Sequence, residues 1–304
     1  MKQVKMFKDA LKNNYIIPAF NFANFEILRG IIEAVKETKS PVILQVSESA
    51  MNYFGDECLY GLIQGVRNIK LPISIHLDHG KNMEVVKRAI KLGFDSVMID
   101  GSTLPFKENV KLTKQVVAYA HKNNVSVEGE LGVLDVVDDD STEKGNAKYT
   151  DPIQAKEFVD LTGVDSLAIS IGTSHGVYKY AGEPKIRYDI LRKIEKELPN
   201  LPIVLHGASL IEQKYIDSIN NHGGHIKNSA GNENLLKNAY KTNICKINMD
   251  TDFRLAYTAA VREFMDTHSI KYCPRTYGMA GIEEVKKCAI ERIKKVCKSN
   301  NRVK

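Results

Sequence analysis

Short apolar runs alternating with amphipathic, helix-period stretches along the whole chain predict an α/β fold, a (β/α)8 TIM barrel with an extra C-terminal helix. Three observations carry that expectation. Eight candidate strands are separated by helical patterns, which implies parallel βαβ units. The length of 304 residues suits one closed barrel. The G-x-G-x-x-G turn that marks the competing doubly wound sheet is absent.

Taken in order, the apolar runs cover residues 16–21, 41–47, 72–77, 96–99, 125–131, 166–171, 202–205 and 245–249. Helix-period stretches lie between them at 26–38, 83–92, 107–123, 152–161, 186–198 and 211–220. Two more follow the last strand, at 252–268 and 282–297. Two segments break the rhythm. Residues 135–149 (DVVDDDSTEKGNAKY) are polar and acidic and read as a long active-site loop. Residues 222–234 are rich in Gly and Asn and read as an insertion before the eighth strand. No repeat or linker divides the chain, so residues 1–304 are expected to form one domain.

Composition narrows the function classes. Hydrophobic residues make up 43%, ordinary for a globular protein. The net charge of +6 is spread along the chain, with no stripe of the kind nucleic acid requires, and it suits attraction of a phosphorylated substrate. No apolar run reaches membrane-spanning length, and the start MKQVKMFKDALKNN has no signal-peptide core. The five cysteines are odd in number and form no C-x-x-C, which fits a reduced, cytoplasmic compartment.

Three histidines occupy similar places. PISIHLDH puts His79 just past a strand, LAISIGTSH puts His175 past another, and PIVLH puts His206 at the end of a third. In a parallel barrel all strand C-termini open on one face, where such imidazoles can share a Zn2+ ion and leave a position open for substrate. Any one of them alone reads more readily as a structural histidine than as a ligand; the three together favour the metal. Asp78, beside His79, is either an acid/base or a partner that orients a ring. His76, deeper in the same strand, is read as structural. Asp100 and Glu130 should reach the same rim as an accessory carboxylate pair for a second metal position. Glu128 shares a face with Glu130 by period two, and an internal salt bridge is the other reading of either.

Two turns after strands suit phosphate. One is His206-Gly207-Ala208-Ser209; the other runs from Lys246 through Asn248, Met249, Asp250 and Thr251 into a helix. Asp250 or Thr251 could equally be a helix cap. Arg254 is either a planar clamp for a second phosphate or a solvated helix residue.

The motifs HLDHG (76–80), SVMID (96–100), ELG (130–132), GTSHGVYK (172–179), LHGAS (205–209) and KINMDTD (246–252) occur in order over nearly the whole chain. Together they resemble the class II fructose-bisphosphate aldolases, and KINMDTDFRLAYTAAVRE with PRTYG resembles the compact-barrel subgroup. The resemblance implies that His79, His175 and His206 hold the catalytic zinc and that Asp78 moves the proton of the C4 oxygen. It implies that Asp100 and Glu130 belong to a more buried metal position. It assigns Gly176, Gly207, Ser209 and the run Asn248 to Thr251 to dihydroxyacetone phosphate, and backbone near Gly176 and Gly207 to a monovalent cation, Na+ or K+. Asn21 and Ser47 match further substrate contacts. Arg254 matches a residue that reaches the second phosphate across a homodimer interface. Asp250 stands where tagatose-bisphosphate aldolases tend to carry a small apolar residue, which favours fructose 1,6-bisphosphate. The acidic loop departs from the family pattern: Asp138 stands where a glutamate is expected and Val136 where glycine is common, with Asp139 a neighbouring candidate for the loop proton carrier. The competing readings are a tagatose-bisphosphate aldolase, a Schiff-base aldolase using Lys246, a metal-dependent hydrolase, and a phosphosugar-binding or surface adhesion protein.

Overall fold

Four of the helices begin where a side chain accepts from free backbone N–H groups of the first turn. Asn24 caps the helix over Phe25–Thr38 by accepting from Ile27 N at 2.8 Å. Asn82 does the same for Met83–Lys91, and Asp151, followed by Pro152, for Pro152–Thr162. The computed structural model describes residues 1–133, 148–175, 186–227 and 236–303, together with the backbone of Asp135 and Val136; of His175 it describes the backbone alone.

The strands are β1 (Ile17–Asn21), β2 (Val42–Ser47), β3 (Ile73–Gly80), β4 (Ser96–Ile99), β5 (Ser126–Leu131), β6 (Ser166–Ile169), β7 (Ile203–Leu205) and β8 (Ile244–Met249). Each pairs in parallel with its neighbours in sequence, and β1 closes the barrel on β8 with Ala19 opposite Asn248. Around it lie α1 (Lys2–Asn13), α2 (Phe25–Thr38), α3 (Glu48–Phe54), α4 (Asp56–Arg67), α5 (Met83–Lys91), α6 (Phe106–Lys122), α7 (Pro152–Thr162), α8 (Tyr188–Glu197), α9 (Gln213–Asn221), α10 (Thr251–Thr267) and α11 (Pro274–Glu291). A π-type continuation, Arg292–Cys297, extends α11. Ser174–His175 pairs with Asp135–Val136 outside the barrel.

Outward strand side chains such as Leu44, Val46, Val97 and Leu167 pack with the helices in one large apolar cluster. A second, smaller cluster joins Phe7 and Ala10 of α1 to Ile17, Ala19 and Ile43. The interior of the barrel above them is polar, since its hydrogen bonds join strands that are not neighbours: β3 to β8, β8 to β5, and β5 to β7.

The architecture is the expected one, with differences at particular elements. Helices α1, α3 and α4 were not among the expected ones. In α4 the apolar residues Leu59, Ile63 and Val66 do recur at helical spacing, but Gly61 and Gly65 mask the pattern. The third strand runs to Gly80 rather than ending at residue 77, so Asp78 and His79 belong to the strand. Helix α11 starts at Pro274, eight residues before the expected 282, because Pro suits the first turn.

Candidate functional site

A regular strand sends Asp78 and His79 to opposite faces of the sheet. Here His79 adopts φ +49°, and the pairing of β3 with β4 shifts between Leu77 and Gly80. With that local break both side chains reach one cluster, His79 Nε2 lying 4.0 Å from Asp78 Oδ1. His79 Nδ1 donates to Asp100 Oδ2 at 2.9 Å, which leaves Nε2 directed at His206 Nδ1, also 2.9 Å away. His206 Nε2 donates to Glu128 Oε1 at 2.8 Å. Each ring therefore has its far nitrogen fixed by a carboxylate and its near nitrogen turned to a common point, the usual arrangement of metal-binding imidazoles.

Glu128 and His206 are both fully enclosed, and Lys246 Nζ pairs with Glu128 Oε2 at 2.8 Å. His76 Nε2 lies 3.3 Å from the same ammonium and its Nδ1 lies 3.0 Å from Ser96 Oγ. Glu128 is thus the internal salt bridge of the two readings, and His76 is structural. Burial, with the adjacent charges of His79 and Lys246, holds the His206 ring well below the ordinary histidine range, so it is neutral. Lys246, tied to Glu128 with no solvent-exposed surface, is badly placed to act as a Schiff-base amine.

Asp78 is held as an anion. Asn21 Nδ2 donates to its Oδ2 at 2.7 Å and Asn248 Nδ2 to its Oδ1 at 3.0 Å. Gln45, which the sequence did not single out, donates to Asn21 Oδ1 at 2.7 Å and so aims that amide. Burial alone would raise the carboxyl pKa, but the charges of His79 and Lys246 and the Asn21 bond outweigh it and lower it.

Asp100 and Glu130 come together beside His79, with Glu130 Oε2 3.8 Å from its Nδ1. Asp100 is held below the usual carboxylate range: burial opposes this, and the bonds from His79 and Ser102 overcome it. Glu130 is pushed well up by burial and by the negative charge of Asp100. Its Oε2 is buried without a hydrogen-bond partner among the described residues. An orphaned buried oxygen beside an imidazole and a second carboxylate is a donor set that a divalent cation would satisfy. Among the described residues, two groups meet the spacing for such an ion, Asp78–His79–His206 and His79–Asp100–Glu130, and they share His79.

The two phosphate-type turns flank this cluster. Gly207 has φ +62°, and a Cβ placed there would lie 2.5 Å from the backbone of Ser174, the residue before His175. The close approach brings the β7 turn against the segment that carries His175. Gly207→Ala is expected to lose most activity and to destabilise the protein by about 1–3 kcal/mol, since alanine would be strained at this φ and the obstruction is rigid backbone; thermal unfolding alongside an activity assay would check this. Ala208 and Ser209 are buried behind it, as are Asn248 and Thr251 on the other turn. The Met249 side chain lies in the apolar core, which leaves only its backbone for a ligand. Asp250 is the N-cap residue of α10 but makes no side-chain cap bond; it faces Arg254 at 3.7 Å. Ser47 caps α3, accepting from Ala50 N at 3.3 Å. Gly176, Asp138 and Asp139 lie outside the described residues, as does the side chain of His175.

The profile of the family described as "Fructose-bisphosphate aldolase class-II" matches residues 1–302. A fructose-bisphosphate aldolase from Treponema pallidum is 44% identical, over 98% of this chain and 96% of its own. One from Giardia intestinalis is also 44% identical, over 95% of this chain and 90% of its own. Among solved structures, the YdjI aldolase of Escherichia coli K12 aligns with a TM-score of 0.78 at 29% identity, covering 99% of this chain and 98% of that one. With that coverage by profile and relatives, and with paired imidazoles, their orienting carboxylates and the amide-held aspartate on one rim of an eight-stranded barrel, the chain belongs to the class II fructose-bisphosphate aldolase family, carbon–carbon lyases.

Proposed function

We propose that this chain catalyses the reversible aldol cleavage of fructose 1,6-bisphosphate to dihydroxyacetone phosphate and glyceraldehyde 3-phosphate. The observation that carries the reading is the meeting of His79 and His206 at 2.9 Å, each fixed from behind by a carboxylate, beside an Asp78 held ionised by two amides. His79 and His206, with His175 as third ligand, would hold a zinc ion; Asp100 and Glu130 would serve a deeper position for the same or a second metal. When bound, zinc supplies Lewis-acid polarisation of the ketose oxygens.

The chain's own residues do the rest. Asp78 accepts the C4 hydroxyl proton as the C3–C4 bond breaks, and returns it in condensation. Asn21 and Asn248 hold that carboxylate in line. The acidic loop supplies the group that protonates the carbon of the resulting enediolate, with Asp138 the first candidate. The turns at 207–209 and 248–251 hold one phosphate by backbone N–H groups, and Ser47 and Arg254 act at the other, Arg254 from a homodimer partner. A monovalent cation near Gly176 and Gly207 would complete the phosphate site. Asp250 favours the fructose over the tagatose bisphosphate. No helix among the described residues is long and apolar enough to cross a membrane, all five cysteines are free thiols, and a cytoplasmic enzyme of sugar-phosphate metabolism fits both.

The deciding experiment is a coupled assay on fructose and tagatose bisphosphates before chelation, after it, and after zinc is returned. Cleavage of the fructose substrate should vanish and come back; full activity in the stripped protein would end the metal reading. A pH effect follows as well. Without metal, burial disfavours the His79 imidazolium, but Asp78, Asp100 and Glu130 outweigh this and push it up to about 10. A group raised in the folded state stabilises it fully below its ordinary value, 6.5, and ceases to as pH rises through about 10. The stripped protein should therefore lose stability across that window, while zinc, which displaces the proton, should bind more tightly. Unfolding midpoints with and without zinc across that range would measure both.

A further inference from the structure

Among the described residues, the largest fully buried side chain lies outside the cluster of imidazoles and carboxylates. Arg292, 2% exposed, opens the π-type turn that extends α11. Its Nε and Nη2 reach Asp252 Oδ1 at 2.9 and 2.8 Å, and Nη2 donates to Glu212 Oε1 at 2.6 Å. The same Asp252 oxygen accepts the backbone N–H of Leu210 at 3.2 Å. One guanidinium thus ties three elements that are distant in sequence: the turn after β7, the first turn of α10, and the C-terminal helix.

What lies between those ties is strained. Ile211 has φ +45°, a left-handed conformation that a β-branched residue adopts only under constraint. Leu210 on one side is bound to Asp252, and Glu212 on the other to Arg292. Buried ion pairs are weak contributors to net stability, because desolvation offsets their attraction. A strained backbone clamped from both flanks instead indicates a geometry that must be kept.

We propose that Arg292 is a positioning residue: through Asp252 and Glu212 it locks the 207–212 turn and the α10 start together, in the one arrangement where both can bind the same phosphate group. The inference rests on the assignment of these turns to phosphate made above. Without the clamp, Ile211 can relax to an ordinary conformation, and the N–H groups of Gly207 to Ser209 turn away from those of α10.

Arg292→Met keeps the volume without the fork, and Arg292→Lys keeps the charge without it. Inorganic phosphate binding by calorimetry, KM and kcat for fructose 1,6-bisphosphate, and unfolding midpoints would be measured on both variants and the zinc-loaded wild type. Phosphate Kd and KM should rise about tenfold or more in Arg292→Met, with kcat changed less than about threefold, and Arg292→Lys should fall between. A purely structural residue would lower the unfolding midpoint and active fraction and leave Kd and KM of the folded protein alone; that result overturns the proposal, as would a wild type that binds no phosphate. If Arg292→Met does not fold, an unchanged Kd in Arg292→Lys overturns it equally. A wild type that binds phosphate but fails to cleave the sugar would sink the functional assignment, and the variants' phosphate Kd would still decide this one.

Discussion

Asp78→Ala is expected to reduce kcat by about a hundred- to ten-thousand-fold, the usual range for a lost general acid/base. Metal content should be nearly intact, because His79 and His206 keep their orienting partners Asp100 and Glu128. Stability should fall only modestly, since the amides of Asn21 and Asn248 lose an acceptor at about 1–3 kcal/mol each and water entering the cavity replaces part of it. Asp78→Asn separates the two effects: it nearly preserves shape and cannot take up the proton. Steady-state rates with metal analysis on both variants test this, and a variant keeping most of its turnover would remove Asp78 from the chemistry.

Lys246→Met should have the largest effect on stability. It leaves the Glu128 carboxylate fully enclosed with its charge uncompensated, a situation that costs about 3–5 kcal/mol. The double variant Glu128→Gln with Lys246→Met should recover much of that, because Gln carries no charge and its carbonyl oxygen still accepts from His206 Nε2. Urea unfolding of the two variants would show the recovery; if the double variant is no more stable than Lys246→Met, the charge is not the cause. The same ion pair bears on the Schiff-base alternative. Borohydride with substrate should trap no adduct on Lys246, since its amine is enclosed and engaged.

Much of this protein could be read from its pattern. The eight strands emerged because a parallel barrel buries both strand faces and so writes short apolar runs between helical ones. Asp78, His79, Asp100, Glu130, His206 and Asn248 were legible as chemistry because polar residues stand at strand ends, where burial otherwise favours apolar ones. Gln45 was not legible. It sits inside an apolar strand run, and only the pairing of Asn21 with Gln45 across β1 and β2 gives it a role. Arg292 was invisible for a similar reason: on a helix carrying Lys294 and Lys295 it reads as one more solvated cation.

The sequence alone determined the closed barrel, the histidines and carboxylates available to it, and the family, since alternation of period and ordered motifs are local properties that survive without coordinates. Tertiary structure alone decided which of Glu128 and Glu130 faces His206, how far β3 extends, and that Asp78 and His79 join one cluster. Those outcomes hang on a left-handed residue at His79 and on contacts between strands far apart in the chain, and neither is encoded in the periodicity of any single segment.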